Sequence, residues 1–176
     1  MIDALVIGAG PAGLMAAETL SGAGFQVTIV DAMPSVGRKF LMAGKSGLNL
    51  TKNENNTSFL AAYGDIAPAM KAALSDFGPA EIMKWAEGLD QPLFTGSTGR
   101  VFPKKMKASP LLRAWTQRLN GAGVTLRTRW RWSGWDTDHP VFDTPEGRVS
   151  VPARRVILAL GGASWARLGS NGAWAN

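Results

Sequence analysis

Residues 4–31 constrain the fold of this chain more than any other stretch. Ala4-Leu5-Val6-Ile7 is a compact apolar run that leads into Gly8, Gly10 and Gly13, arranged as GxGxxG; an alanine-rich stretch follows, then Val27-Thr28-Ile29-Val30 and Asp31. Short apolar runs of this kind suit strands buried on both faces of a parallel sheet. The spacing predicts strand 4–8, helix 11–23 and strand 26–31. Gly8 permits a sharp turn out of the first strand, Gly10 lets backbone approach a ligand closely, and Gly13 lets the helix pack on the strand. Pro11 fits the first helical turn, where its missing N–H has no intrahelical partner. The amides near Ala12 and Gly13 would face an anion at the helix start. Together these residues read as a cradle for the ADP half of a dinucleotide, with Asp31 accepting from the ribose hydroxyls. A carboxylate there disfavours a 2′-phosphate, and hence NADP. An ordinary βαβ unit whose glycines only serve turns is the competing reading.

Gly37-Arg38 lies six residues beyond Asp31. A glycine–arginine pair at that offset resembles FAD-binding domains of the glutathione-reductase type, in which the arginine's fixed cationic fork supports the adenosine and pyrophosphate. Four stretches, GAGPAGLMAA (8–17), GRKFLMAGKSGLNLT (37–51), GRVFPKKMKAS (99–109) and ALGGASWARLGSNG (159–172), are similar to the BaiN/YhiN-type family of NAD(P)/FAD-dependent flavoproteins, also known as aminoacetone-oxidase-like. Family members carry a cysteine in the second stretch; Leu48 stands there in this chain, so a thiol role is excluded. The resemblance implies that Ser46, Gly47 and Asn49, with Gly161 and Gly162, line the flavin side, and that Arg38 and Lys39 add positive charge near the phosphates. It implies FAD as cofactor, hydride transfer through flavin, an unidentified small-molecule substrate and NAD(P)H as a candidate reductant. Family members are longer, and their FAD domain is completed by a C-terminal segment beyond an inserted substrate domain. Residues 1–176 are therefore expected to be the N-terminal portion, retaining the ADP half-site but holding flavin weakly, with little or no turnover.

The fold class expected is α/β: a Rossmann-like, glutathione-reductase-type domain with a parallel sheet and a small antiparallel β-meander at about 130–152. Residues 155–160 read as a late strand ending in Gly161-Gly162, as in flavin domains, although one more buried strand ending at a glycine turn fits as well. Between these landmarks a long loop is expected through residue 57, then helices near 66–77 and 79–88 split by Gly78-Pro79. Residues 93–103 read as extended. A firmer helix over 107–121 carries Leu111, Leu112, Trp115 and Leu119 on one face. Strand 124–132 is expected to place Leu126, Thr128, Trp130 and Trp132 on one side and Arg127, Arg129 and Arg131 on the other. Segments near 140–143 and 147–151 complete the meander.

The composition is that of a folded globular chain, with 45% hydrophobic and 18% charged residues. Without cysteine there is no disulfide and no thiolate nucleophile. His139, beside Pro140, reads as a surface residue, and no metal-ligand cluster or catalytic acid–base pair is visible. The apolar runs are too short to span a bilayer, so no membrane partner is expected and the cytoplasm is the default location. The formal charge of +6 raises nucleic acid as a partner. Lys104, Lys105, Lys107 and Arg113 form one basic cluster; arginines 127, 129, 131, 154 and 155 interleave with tryptophans 130, 132 and 135 in another. An FAD-dependent RNA-modifying enzyme is thus one alternative, set against a solvated arginine face opposite a tryptophan core face. A nicotinamide dehydrogenase and a non-catalytic nucleotide-binding fragment are the others.

Overall fold

The structure, a computed structural model, describes residues 2–175. In chain order its elements are β1 (Ile2–Ile7), α1 (Pro11–Gly22), β2 (Val27–Asp31), α2 (Arg38–Ala43), β3 (Thr51–Lys52), α3 (Asn56–Ala61), α4 (Pro68–Asp76) and α5 (Pro79–Glu87). There follow β4 (Leu93–Thr95), β5 (Arg100–Pro103), α6 (Ala108–Gly121), β6 (Thr125–Thr128), β7 (Arg131–Asp136), β8 (His139–Thr144), β9 (Gly147–Ser150) and β10 (Ala153–Leu158). Two short 3-10 turns, Ala166–Leu168 and Ala173–Ala175, come last. The chain divides into two compact units, one of Met1–Met42 with Thr116–Asn176 and one of Ala43–Trp115.

The first unit is built on a four-stranded sheet in the order β10-β1-β2-β6, parallel throughout. Side chains alternate across β1. On one face, Gly13 of α1 comes so near Val6 that an added Cβ would lie 3.2 Å from its Cγ1. On the other face, Leu5, Ile7 and Val30 bury against Phe142 and Val151, with Trp130, Trp132 and Val149 packed around them. The antiparallel sheet β7-β8-β9 supplies most of that layer. Both faces of the parallel sheet are therefore covered, which is why residues 4–7 of β1 are all apolar and β2 is apolar but for the buried Thr28 until it ends at Asp31. Phe142 is fully buried at this junction. Phe142→Ala is expected to lower unfolding stability by about 3–5 kcal/mol, read as a fall in the urea midpoint; an unchanged midpoint would show that the two sheets do not depend on this contact.

The α/β class and the meander match the expectation, but strand 124–132 does not exist as one element. Arg129 takes φ 61° and separates β6, which pairs with β2, from β7, which belongs to the antiparallel sheet. The expected segregation of arginines from tryptophans fails with it. The Arg127 guanidinium lies 5.0 Å from the Trp130 ring centroid, a cation–π contact, and Leu126 is exposed. The loop expected through residue 57 also contains α2, β3 and the start of α3. His139 is exposed, as expected, and opens β8.

In the second unit, β3, β5 and β4 form a small antiparallel sheet. Pro79 starts α5, and the Glu81 carboxylate accepts from the Gly78 N–H at 3.0 Å, closing the helix end. Trp85 of α5 meets the buried Trp115 edge-on, with ring centroids 4.7 Å apart. Leu48 is buried, its N–H donating to the Met106 carbonyl, so an apolar side chain anchors the 44–50 loop. No described helix is long and apolar enough to cross a membrane.

Candidate functional site

In the first unit, the carboxyl ends of β1, β2 and β10 open onto a cleft of about 590 Å³. Its walls come from Gly8–Pro11 after β1, Asp31–Met33 at the end of β2 and Ala159–Gly161 after β10. Chain order reverses here, because β1 connects onward to β2 on one side while β10 returns to its other side. Ligands of open parallel sheets bind at such a switch point.

The three glycines of the array answer to different neighbours. A Cβ on Gly8, which has φ 109°, would collide with the Ala159 carbonyl oxygen, so the turn is glycine because β10 crosses it. A Cβ on Gly13 would collide with the Gly8 carbonyl oxygen. Gly10 differs: its backbone is extended (φ −80°, ψ −178°) and an added Cβ would meet nothing within 4 Å. The protein's own packing does not require glycine at this cleft-lining position. A ligand pressed against the backbone would. The first bond of α1 runs from the Leu14 N–H to the Gly10 carbonyl at 2.9 Å, leaving the amides of Ala12 and Gly13 without intrahelical partners beside the cleft.

Asp31 is half-buried, and both its oxygens accept from backbone: Oδ2 from the Ala9 N–H at 2.7 Å and Oδ1 from the Met33 N–H at 2.8 Å. A carboxylate offers about four acceptor directions, so capacity for hydroxyl groups is left. The Ala9 carbonyl in turn accepts from the Gly37 N–H at 2.9 Å, which brings the Gly37-Arg38 turn to the cleft. Gly37 has φ 61°, a left-handed conformation that favours glycine. Arg38 opens α2 and lines the cleft. Its Nε is buried with no hydrogen-bond partner. A buried guanidinium donor left unpaired is costly, and an anion in the cleft would satisfy it.

Lys39 also borders the cleft, but its ammonium donates to two backbone carbonyls, Gly162 at 2.5 Å and Ser170 at 2.8 Å. Its charge thereby holds the segment after β10 in place. Gly161 lines the cleft and accepts from the Trp174 indole N–H at 2.8 Å; Gly162, Ala12 and Gly13 are not among the lining residues. Ser46, Gly47 and Asn49 belong to the second unit, where Gly47 (φ 148°) is pressed against the Met106 side chain and Ser46 and Asn49 are exposed. The cleft described is formed by first-unit residues alone. Sequence reasoning missed Trp130, Arg131 and Trp132 as lining residues, because it assigned the tryptophans to a core face. Among the described residues there is no cluster of metal-ligating side chains.

Residues 2–176 match the family model described as HI0933-like protein Rossmann domain. Among solved structures, 3-ketosteroid-Δ4-(5α)-dehydrogenase from Rhodococcus jostii RHA1 superposes with a TM-score of 0.70 at 18% identity, over 92% of this chain and 46% of that one. A flavocytochrome c3 fumarate reductase in an open conformation gives 0.61 at 21%, over 92% and 34%. THI4 from Thermovibrio ammonificans gives 0.59 at 15%, over 95% and 60%. At these identities the likeness establishes a shared fold. The chain spans less than two thirds of each of these structures.

Proposed function

Because the chain belongs to the HI0933-like Rossmann-domain family, we propose that the cleft is the ADP-side half of an FAD site and that the whole protein is a flavin-dependent oxidoreductase. The observation that carries this reading is Gly10, a cleft-lining glycine at the start of α1 whose missing Cβ no protein neighbour requires. The orphan Nε of Arg38 supports it. The pyrophosphate lies along Gly8, Gly10 and Pro11, against the amides of Ala12 and Gly13, with Arg38 as the paired cation. Asp31 orients the ribose hydroxyls and, already engaged by two amides, repels a 2′-phosphate. When bound, the flavin supplies two-electron hydride chemistry, and the protein's part is to bind and orient it. Gly161 and Gly162 are proposed for the flavin side of this cleft; reduced nicotinamide is the proposed hydride donor.

Of the three tryptophans that the RNA-modifying alternative calls on for stacking, Trp130 and Trp132 line this cleft, whereas Trp135 is exposed and outside it. Mixing the purified chain with FAD and separating free flavin by dialysis tests the reading directly. Retained flavin absorbance, displaced by ADP and not by 2′-phospho-ADP-ribose, is expected. Selective retention of NAD with no uptake of FAD would favour a nicotinamide enzyme instead.

A further inference from the structure

The segment after β10 furnishes one wall of the cleft, through Gly161, Ala166–Asn171 and Trp174. It is lightly packed: residues 161–167 are exposed, and Leu168, Gly169 and Ser170 are only half-buried. Its internal hydrogen bonds are mostly short-range, such as the Leu168 N–H to the Trp165 carbonyl at 2.8 Å and the Gly172 N–H to Ser170 Oγ at 3.0 Å. Among the described residues, the hydrogen bonds that tie it to the rest of its unit both come from Lys39, to the Gly162 and Ser170 carbonyls. The half-buried Lys39 stem runs across the segment, its Cε 3.5 Å from where a Cβ on Gly169 would stand. Helix α2, which carries Lys39, is itself anchored at the glycine turn, since the Gly37 N–H donates to the Ala9 carbonyl at 2.9 Å. An exposed, irregular segment with few buried contacts opens at low cost. Two charge-assisted bonds from one ammonium then decide whether it stands as a wall.

We propose that Lys39 is a positioning residue of the cleft: it acts on the flavin side of the cofactor by clasping residues 162–170, and not by binding phosphate. This rests on the dinucleotide reading above and reassigns the charge that the resemblance places near the phosphates.

Lys39→Met keeps the stem and removes the donors, whereas Lys39→Arg keeps a cation able to reach both carbonyls. Arg167 lies within the clasped segment, so trypsin cleavage after it, followed by mass spectrometry, reads how often the segment opens. Cleavage there should be at least about tenfold faster in Lys39→Met, because proteolysis follows the population of the open form, and close to the original rate in Lys39→Arg. Calorimetric titration should show FAD bound about tenfold more weakly by Lys39→Met and rescued in Lys39→Arg, with pyrophosphate and ADP held as before. Unchanged cleavage after Arg167 or unchanged FAD affinity in Lys39→Met would overturn the assignment. A loss for pyrophosphate equal to that for FAD would also overturn it and give Lys39 to the phosphates. If the unmodified chain takes up neither FAD nor ADP, the dinucleotide reading fails, and the cleavage rates alone decide whether Lys39 is the clasp.

Discussion

Gly13→Ala is expected to cost about 3 kcal/mol or more of stability, leaving a chain that is largely unfolded or recovered only in aggregates. Alanine within a helix is ordinarily favoured over glycine by about 1 kcal/mol, so helix propensity alone predicts the opposite sign. Sterics decide the matter. The new methyl group would run into the Gly8 carbonyl oxygen, which is backbone and cannot rotate aside. Gly8 cannot retreat either, because the Ala159 carbonyl closes its other side and its N–H is bonded to the Val30 carbonyl at 2.8 Å. Circular dichroism with urea titration reads the outcome; a midpoint equal to that of the unmodified chain would refute this account of the β1–α1 junction.

Gly10→Val should behave in the opposite way. The extended backbone at Gly10 accepts a β-branched residue, and an added Cβ has no protein neighbour. The urea midpoint should therefore correspond to a loss of about 1 kcal/mol, the cost of a poorer N-cap residue at the start of α1. FAD retention should fall at least about a hundredfold, because the side chain occupies the space needed for close approach of a pyrophosphate to backbone amides. Unchanged FAD affinity in a stable Gly10→Val protein would remove the main support for the proposed site. The two variants lie three residues apart in one motif, yet one tests folding and the other tests binding.

The parallel core and its turn were legible because their signals are local. Apolar runs, a glycine array and a closing acid all fall within 31 residues, and the strand–helix–strand reading follows from them. The helices α5 and α6 were likewise marked by proline starts or apolar spacing. What escaped depends on tertiary context. The alternation over 124–132 is a sound period-two pattern, but Arg129 adopts a left-handed conformation that ends it, and nothing in the residue type signals that. The break sends Trp130 and Trp132 to the cleft wall. The resemblance gives Lys39 as a charge near the phosphates; its two carbonyl partners lie 123 and 131 residues away, beyond any local pattern. Helix α2 has only six residues, too short to show a periodic face.

The paired bonds at Ala9 have a thermodynamic consequence. Its N–H is held by Asp31 and its carbonyl by Gly37, so three separate turns converge on one residue in the protein alone. A ligand entering between them meets walls whose ordering entropy was lost during folding. Little of its interaction energy is then diverted into arranging loops, and more of it remains as affinity. Such preorganisation strengthens the hold that the proposed ADP-side cleft can exert by itself.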